Sequence, residues 1–66
     1  MAPYDQETEQ TMKRFYDTLS EKDRRRYAGS EALRYGPGGR SYIAQMLGCS
    51  RRTVSRGAKE VRQLSG

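Results

Sequence analysis

The sequence predicts an all-α protein, a small domain of about four helices that contains a trihelical helix-turn-helix unit. Three observations carry this. Apolar residues recur at helical spacing through most of the chain. Two serines, Ser20 and Ser50, stand where helix N-caps belong. One glycine-rich breaker, Gly36-Pro-Gly-Gly39, divides the chain, and no stretch alternates as a strand would. At 66 residues the chain has room for one domain with a limited core.

The first helix is expected over about 5–18, after a frayed start at residues 1–4. Met12, Phe15, Tyr16 and Leu19 fall on one face, and Asp5, Glu7 and Glu9 crowd the first turns, where the helix dipole favours negative charge. Ser20 caps a second helix over about 21–35, with Glu21 and Asp23 in its first turn. Tyr27, Ala28, Glu31, Ala32 and Tyr35 share its inner face, and Leu33 lies to the side. After the breaker a short third helix runs over about 41–47, turning Ile43, Ala44 and Leu47 inward. Gly48, Cys49 and Ser50 make a turn, with Cys49 plugging the core. The fourth helix, about 51–64, buries Val54, Ala58, Val61 and Leu64, and Ser65 and Gly66 fray.

The stretch from Tyr42 to Arg56 is the most informative. Ala44 is small enough for two helices to approach, Gly48 follows four residues later and supplies the positive φ that ends a helix, and Val54 fills the angle between them. That is the spacing of a helix-turn-helix. Gly57 is unusual in a helix interior, where it costs about 1 kcal/mol against Ala. Close approach of another helix or of an aromatic ring, Tyr27 or Tyr35, accounts for it better than a loose helix.

Composition narrows the function classes. The chain has no His and a single Cys, which excludes an intramolecular disulfide and a His-containing zinc site. No nucleophile–base pair, metal-ligand cluster or phosphate-cradling loop is present, so neither a catalytic role nor a cofactor is expected. No signal peptide or membrane-spanning run is seen, and the expected location is the cytoplasm. Net charge is +5, and arginine outnumbers lysine ten to three. Residues 1–20 are acid-rich, with Asp5, Glu7, Glu9 and Asp17 against Lys13 and Arg14, so the positive excess lies in residues 21–66. A basic segment of this kind suits double-stranded DNA, because phosphate neutralisation and counterion release supply most non-specific affinity.

Within that segment Arg51, Arg52, Ser55 and Arg56 lie on the face opposite Val54 and Ala58 and are the expected base readers, since an arginine pairs bidentately with guanine. Arg40, Ser41, Tyr42, Gln45, Thr53 and Lys59 are the expected phosphate contacts, several of them at the start of the third helix, where free backbone N–H groups attract anions. Tyr42 fits equally as a core cap, and Thr53 as a helix cap. Arg24, Arg25 and Arg26 fan around the second helix, so at most one or two can reach a phosphate; pairing with Glu21 and Asp23 at a solvated surface suits them as well.

Residues 15–64 also resemble a known family. Leu19-Ser-Glu-Lys-Asp-Arg-Arg-Arg26, the Gly36-Pro-Gly-Gly39 turn and Ser50-Arg-Arg-Thr-Val-Ser-Arg-Gly57 follow in the order seen in the N-terminal regions of bacterial insertion-sequence transposases of the Rhodopirellula-type DDE kind. The resemblance implies recognition of transposon ends, ahead of a catalytic domain that this chain does not include, and it makes Gly57 an ordinary feature. Thr53-Val-Ser-Arg56 is similar to lac-repressor-type regulators as well, but there the motif sits at the extreme N-terminus. Two alternatives to a transposase-like module remain: a small autonomous repressor that binds DNA as a dimer, and a protein-interaction module in which the acidic first helix docks a partner or a second copy through Met12, Phe15 and Tyr16.

Overall fold

The structure, a computed structural model, describes residues 4–64. Among these it contains four helices and no strand: α1 (Gln6–Asp17), α2 (Glu21–Tyr35), α3 (Gly39–Leu47) and α4 (Arg51–Leu64). The protein is all-α, as the sequence predicts. Of the residues expected to fray, 1–3, Ser65 and Gly66 lie outside the described ones. Tyr4 is docked: its N–H donates to the Tyr42 hydroxyl at 3.0 Å and its ring meets Tyr35 edge-on.

Local chemistry sets the helix ends. Asp5 is the N-cap of α1 rather than part of it, accepting from the Thr8 N–H at 2.7 Å. Hydrogen bonding from Thr8, its side chain first and then its N–H, holds the Asp5 carboxyl below its ordinary range. Ser20 caps α2 through the Asp23 N–H at 3.3 Å, and Ser50 accepts from the Thr53 N–H at 3.1 Å at the head of α4. The third helix begins two residues earlier than expected. Gly36 and Gly38 take the positive φ values of the turn, 94° and 82°, which leaves Gly39 free to open α3. Gly39 is also pressed against α2: a Cβ there would lie 2.6 Å from the Ala32 carbonyl.

The core is small. Ile43, Leu47 and Val54 are its largest fully buried side chains, joined by Tyr16, Ala28, Ala32 and Ala44. Each large aliphatic group contributes about 1.5–3 kcal/mol by leaving water. Gly48 ends α3 with φ 76°, its N–H and that of Cys49 both bonded to the Ala44 carbonyl at 2.9 and 3.0 Å. Cys49 is half-buried against the core, as a plug should be.

Two expected core residues are exposed. Phe15 is 52% exposed, because the inner face of α1 is centred on Tyr16; the Phe15 ring only edges onto Tyr27 at 5.2 Å. Leu64 is 62% exposed, since the last turn of α4 runs past its crossing with α2, and Val61 there is half-buried.

That crossing explains Gly57. A Cβ on Gly57 would overlap the Arg25 carbonyl oxygen and lie 2.6 Å from its carbon, and one on Gly29 would overlap the backbone of Gly57 and Ala58. Two helices therefore meet backbone to backbone at a glycine pair. Close approach is confirmed, but the neighbour is α2 itself rather than the ring of Tyr27 or Tyr35. Gly29, unremarked in the sequence, is the other half of the contact.

Candidate nucleic-acid interface

The corner between α3 and α4 fixes the outward face of α4. With Val54, Gly57 and Ala58 buried, Arg52, Arg56, Lys59 and Gln63 fall on the far side and all are exposed. Gln63 was missed in the sequence, although it lies four residues beyond Lys59 and seven beyond Arg56, the spacing that puts it on their face.

The residues at the α3 flank are organised differently from the simple outward stripe that the sequence suggests. Arg51 turns toward α3, its Nη1 donating to the Ser41 Oγ at 3.4 Å, and Arg40 Nη1 donates to the Ser55 Oγ at 3.3 Å. Arg40, Ser41, Arg51 and Ser55 are thus brought together across the α3–α4 junction. Ser55 is half-buried, so it stands at the edge of the outward face and not at its centre. A cleft of about 430 Å³ opens beside them, lined by Gly38, Gly39, Arg40, Ser41, Ser55 and Lys59 among others. Gly38 offers no side-chain cap to α3, while the Gly39 N–H turns back to the Gly36 carbonyl at 2.9 Å. The first intrahelical bond is that of the Tyr42 N–H at 3.2 Å, which leaves the N–H groups of Arg40 and Ser41 without intrahelical acceptors. Gln45 is exposed one turn further along the same face of α3 as Ser41.

Tyr42 and Thr53 are engaged elsewhere. The Tyr42 hydroxyl donates to Glu9 of α1 and accepts from the Tyr4 N–H, and its ring packs on Tyr35 at 4.9 Å. Burial, reinforced by the Glu9 carboxylate, pushes the phenol up to about 12. Tyr42 is therefore a latch between α3 and the N-terminal segment, and its hydroxyl is not turned to solvent to meet a phosphate. Thr53 is tied into the α4 cap, its hydroxyl 2.9 Å from that of Ser50.

The arginine run of α2 has partners that local sequence does not reveal. Arg25 Nε lies 3.1 Å from both carboxylate oxygens of Glu60 in α4, and Arg26 Nε is 3.3 Å from one of them. Hydrogen bonding from Arg25 first, then Arg26, holds the Glu60 carboxyl below its ordinary range. Arg24 instead reaches α1, donating to the carbonyls of Tyr16 and Asp17 at 3.2 and 2.8 Å. Neither Glu21 nor Asp23 holds any of the three. The consequence for α4 is a sorting of charge: its sole acid is drawn back against α2, and the outward face keeps only Arg52, Arg56, Lys59 and the neutral Gln63. Arg56 still passes within 3.6 Å of the Glu60 carboxylate, but its side chain is 70% exposed.

Among the described residues no helix is long and apolar enough to cross a membrane. Compared with known proteins, the chain matches no family model, no curated protein and no solved structure.

Proposed function

We propose that the protein is a sequence-specific module for double-stranded DNA, without catalysis of its own, in which α3 and α4 form a helix-turn-helix and α4 enters the major groove. The observation that carries this reading is the charge sorting on α4. A merely solvated helix has no reason to withdraw its only carboxylate, whereas a helix facing a polyanion does. In this reading Arg52 and Lys59 meet base edges, with Arg51, Ser55 and Gln63 at the margins. The N–H groups of Arg40 and Ser41, with the Arg40 guanidinium, face a backbone phosphate. The resemblance to transposase N-terminal regions makes a transposon end the first natural duplex to try.

The test is selection of bound sequences from a random DNA pool, followed by affinity measurements across a salt series. With about five phosphates neutralised, log affinity falls against log salt with a slope near −4 to −5. Arg52→Ala loses roughly 1–3 kcal/mol on the selected site and less on random duplex. Affinity that ignores salt, or no binding at all, refutes the proposal. A palindromic selected site identifies a dimeric repressor, and a long asymmetric one a transposon-end module.

One observation favours a second reading. Phe15 is 52% exposed on the acidic α1, so that helix has an aromatic group available to a partner protein or a second copy. Phe15→Ala that abolishes self-association but spares DNA affinity assigns α1 to assembly.

A further inference from the structure

The second flank of α4 carries a cleft of its own. About 360 Å³ opens between the first turns of α2 and α4 and the end of α1. Arg24, Arg25, Arg52 and Arg56 line it against one acid, Glu21. The four cations are not equivalent. Arg25 is paired with Glu60, its Nε donating to both carboxylate oxygens at 3.1 Å. Arg24 is held by backbone carbonyls, those of Tyr16 and Asp17. A carbonyl fixes a guanidinium without cancelling its charge, and two of its five N–H groups are used in this way, leaving three. Arg24 is thus an oriented, uncompensated cation, further steadied by the Tyr16 ring 5.6 Å away. Across the cleft stand the positive end of α4 and Arg56, which is 70% exposed and only loosely paired, 3.6 Å from a Glu60 carboxylate that Arg25 and Arg26 already hold.

The dimensions of a duplex say what such a flank would meet. A helix with its side chains is about 10–12 Å across, and the major groove is about 12 Å wide, so a helix lying in it has one phosphate row on each side. The α3 flank faces one row. The Arg24 flank is placed for the other.

We propose that Arg24 and Arg56 hold a backbone phosphate of double-stranded DNA on the strand opposite to the one that faces Arg40 and Ser41, so that the protein grips both strands across the groove. This rests on the reading of α4 as a major-groove helix. It moves Arg56 from base edges to the backbone, and it gives α1 a part in binding: the carbonyls at the end of α1 position Arg24.

The probe is a fluorescein-labelled 20-base-pair duplex of mixed sequence, bound by the full chain and followed by anisotropy across a salt series. Arg24→Gln and Arg56→Gln each make the slope of log affinity against log salt shallower by about 0.9, and weaken binding about five- to ten-fold at 0.1 M salt. Arg24→Lys, which keeps the charge, retains the wild-type slope. Glu21→Gln tightens binding about two- to five-fold, while Glu7→Gln, the same charge change on the outer side of α1, leaves it unchanged. Circular dichroism checks that each variant is helical. If Arg24→Gln does not fold, Arg56→Gln and Glu21→Gln decide the matter. Slopes that stay at the wild-type value, or Glu21→Gln behaving like Glu7→Gln, overturn the second phosphate seat while leaving DNA binding intact. A wild-type protein that does not bind the duplex overturns the DNA reading itself.

Discussion

Replacing Gly57 with alanine sets two effects of opposite sign against each other. Alanine is the better helix former by about 1 kcal/mol, so on a free helix Gly57→Ala would stabilise. Here the added methyl overlaps the Arg25 carbonyl oxygen and sits 2.6 Å from its carbon. Carbon contacts settle near 3.5–4.0 Å, so α2 and α4 must part by about 1 Å. The obstacle is backbone, which cannot rotate aside as a side chain can. Overpacking of this kind costs typically 1–3 kcal/mol and occasionally more, and the parting also stretches the Arg25–Glu60 bonds, now 3.1 Å. A net loss of about 2 kcal/mol is expected. For a chain of 66 residues, total stability is only about 3–10 kcal/mol. Thermal unfolding followed by far-UV circular dichroism should show the midpoint falling by roughly 8–16 °C. Gly36→Ala is the comparison: its φ is 94° and a Cβ there meets nothing within 4 Å, so it reports backbone strain without overlap. A midpoint for Gly57→Ala that is unchanged or raised would mean that propensity wins and that the helices do not touch at this point.

Two further outcomes follow from single contacts. Ser50→Ala removes the acceptor for the Thr53 N–H and should cost about 1 kcal/mol, read as a lower denaturation midpoint with an unchanged m-value, whereas Ser50→Gly should cost only a few tenths; equal losses would show that the hydroxyl does not cap α4. Tyr42 titrates near 12, above the ordinary value of 10 for a phenol, so its contribution to stability is whole below pH 10 and is lost as pH rises through about 12. In a tyrosinate absorbance titration, the phenol absent from Tyr42→Phe should be the one that ionises near 12; a missing phenol that ionises near 10 would place the Tyr42 hydroxyl in solvent.

Much of the fold was legible in the sequence because its signals are local. Ser20 and Ser50 each cap the helix that follows them, Gly48 ends α3, and Val54 and Ala58 set which way α4 turns. What sequence spacing missed depends on the register of one helix against another. Gly29 and Gly57 explain each other only when α2 is laid across α4. Glu60 looks like one more exposed charge until Arg25 and Arg26 are seen above it, and that pairing decides the electrostatics of the α4 face. Tyr42 offered two equal readings, and the choice was made by Glu9 and Tyr4, more than thirty residues away in the chain. Phe15 and Leu64 satisfy helical periodicity, yet periodicity gives a direction and not a depth: one lies at the margin of the α1 contact, the other beyond the end of the core. Gly39 reads as part of the turn because glycine is a breaker, whereas Gly36 and Gly38 already supply the turn geometry.

Tyr16 is the buried residue of α1, and α2 begins with its own cap at Ser20. These two facts divide the molecule into layers of unequal independence. Ala28, Ala32, Ile43, Ala44, Leu47 and Val54, together with the glycine crossing, belong wholly to the segment from Ser20 to Leu64. The first helix joins that segment through the buried Tyr16 ring, the edge of Phe15 on Tyr27, the Tyr42–Glu9 latch and the carbonyls that Arg24 grasps. Another element can therefore stand in for the first nineteen residues only if it brings a ring to the place of Tyr16 in the core and ends in carbonyls that Arg24 can reach. The early helix is a collar fastened at four points, and Arg24 is the one fastening whose hydrogen bonds read only its backbone.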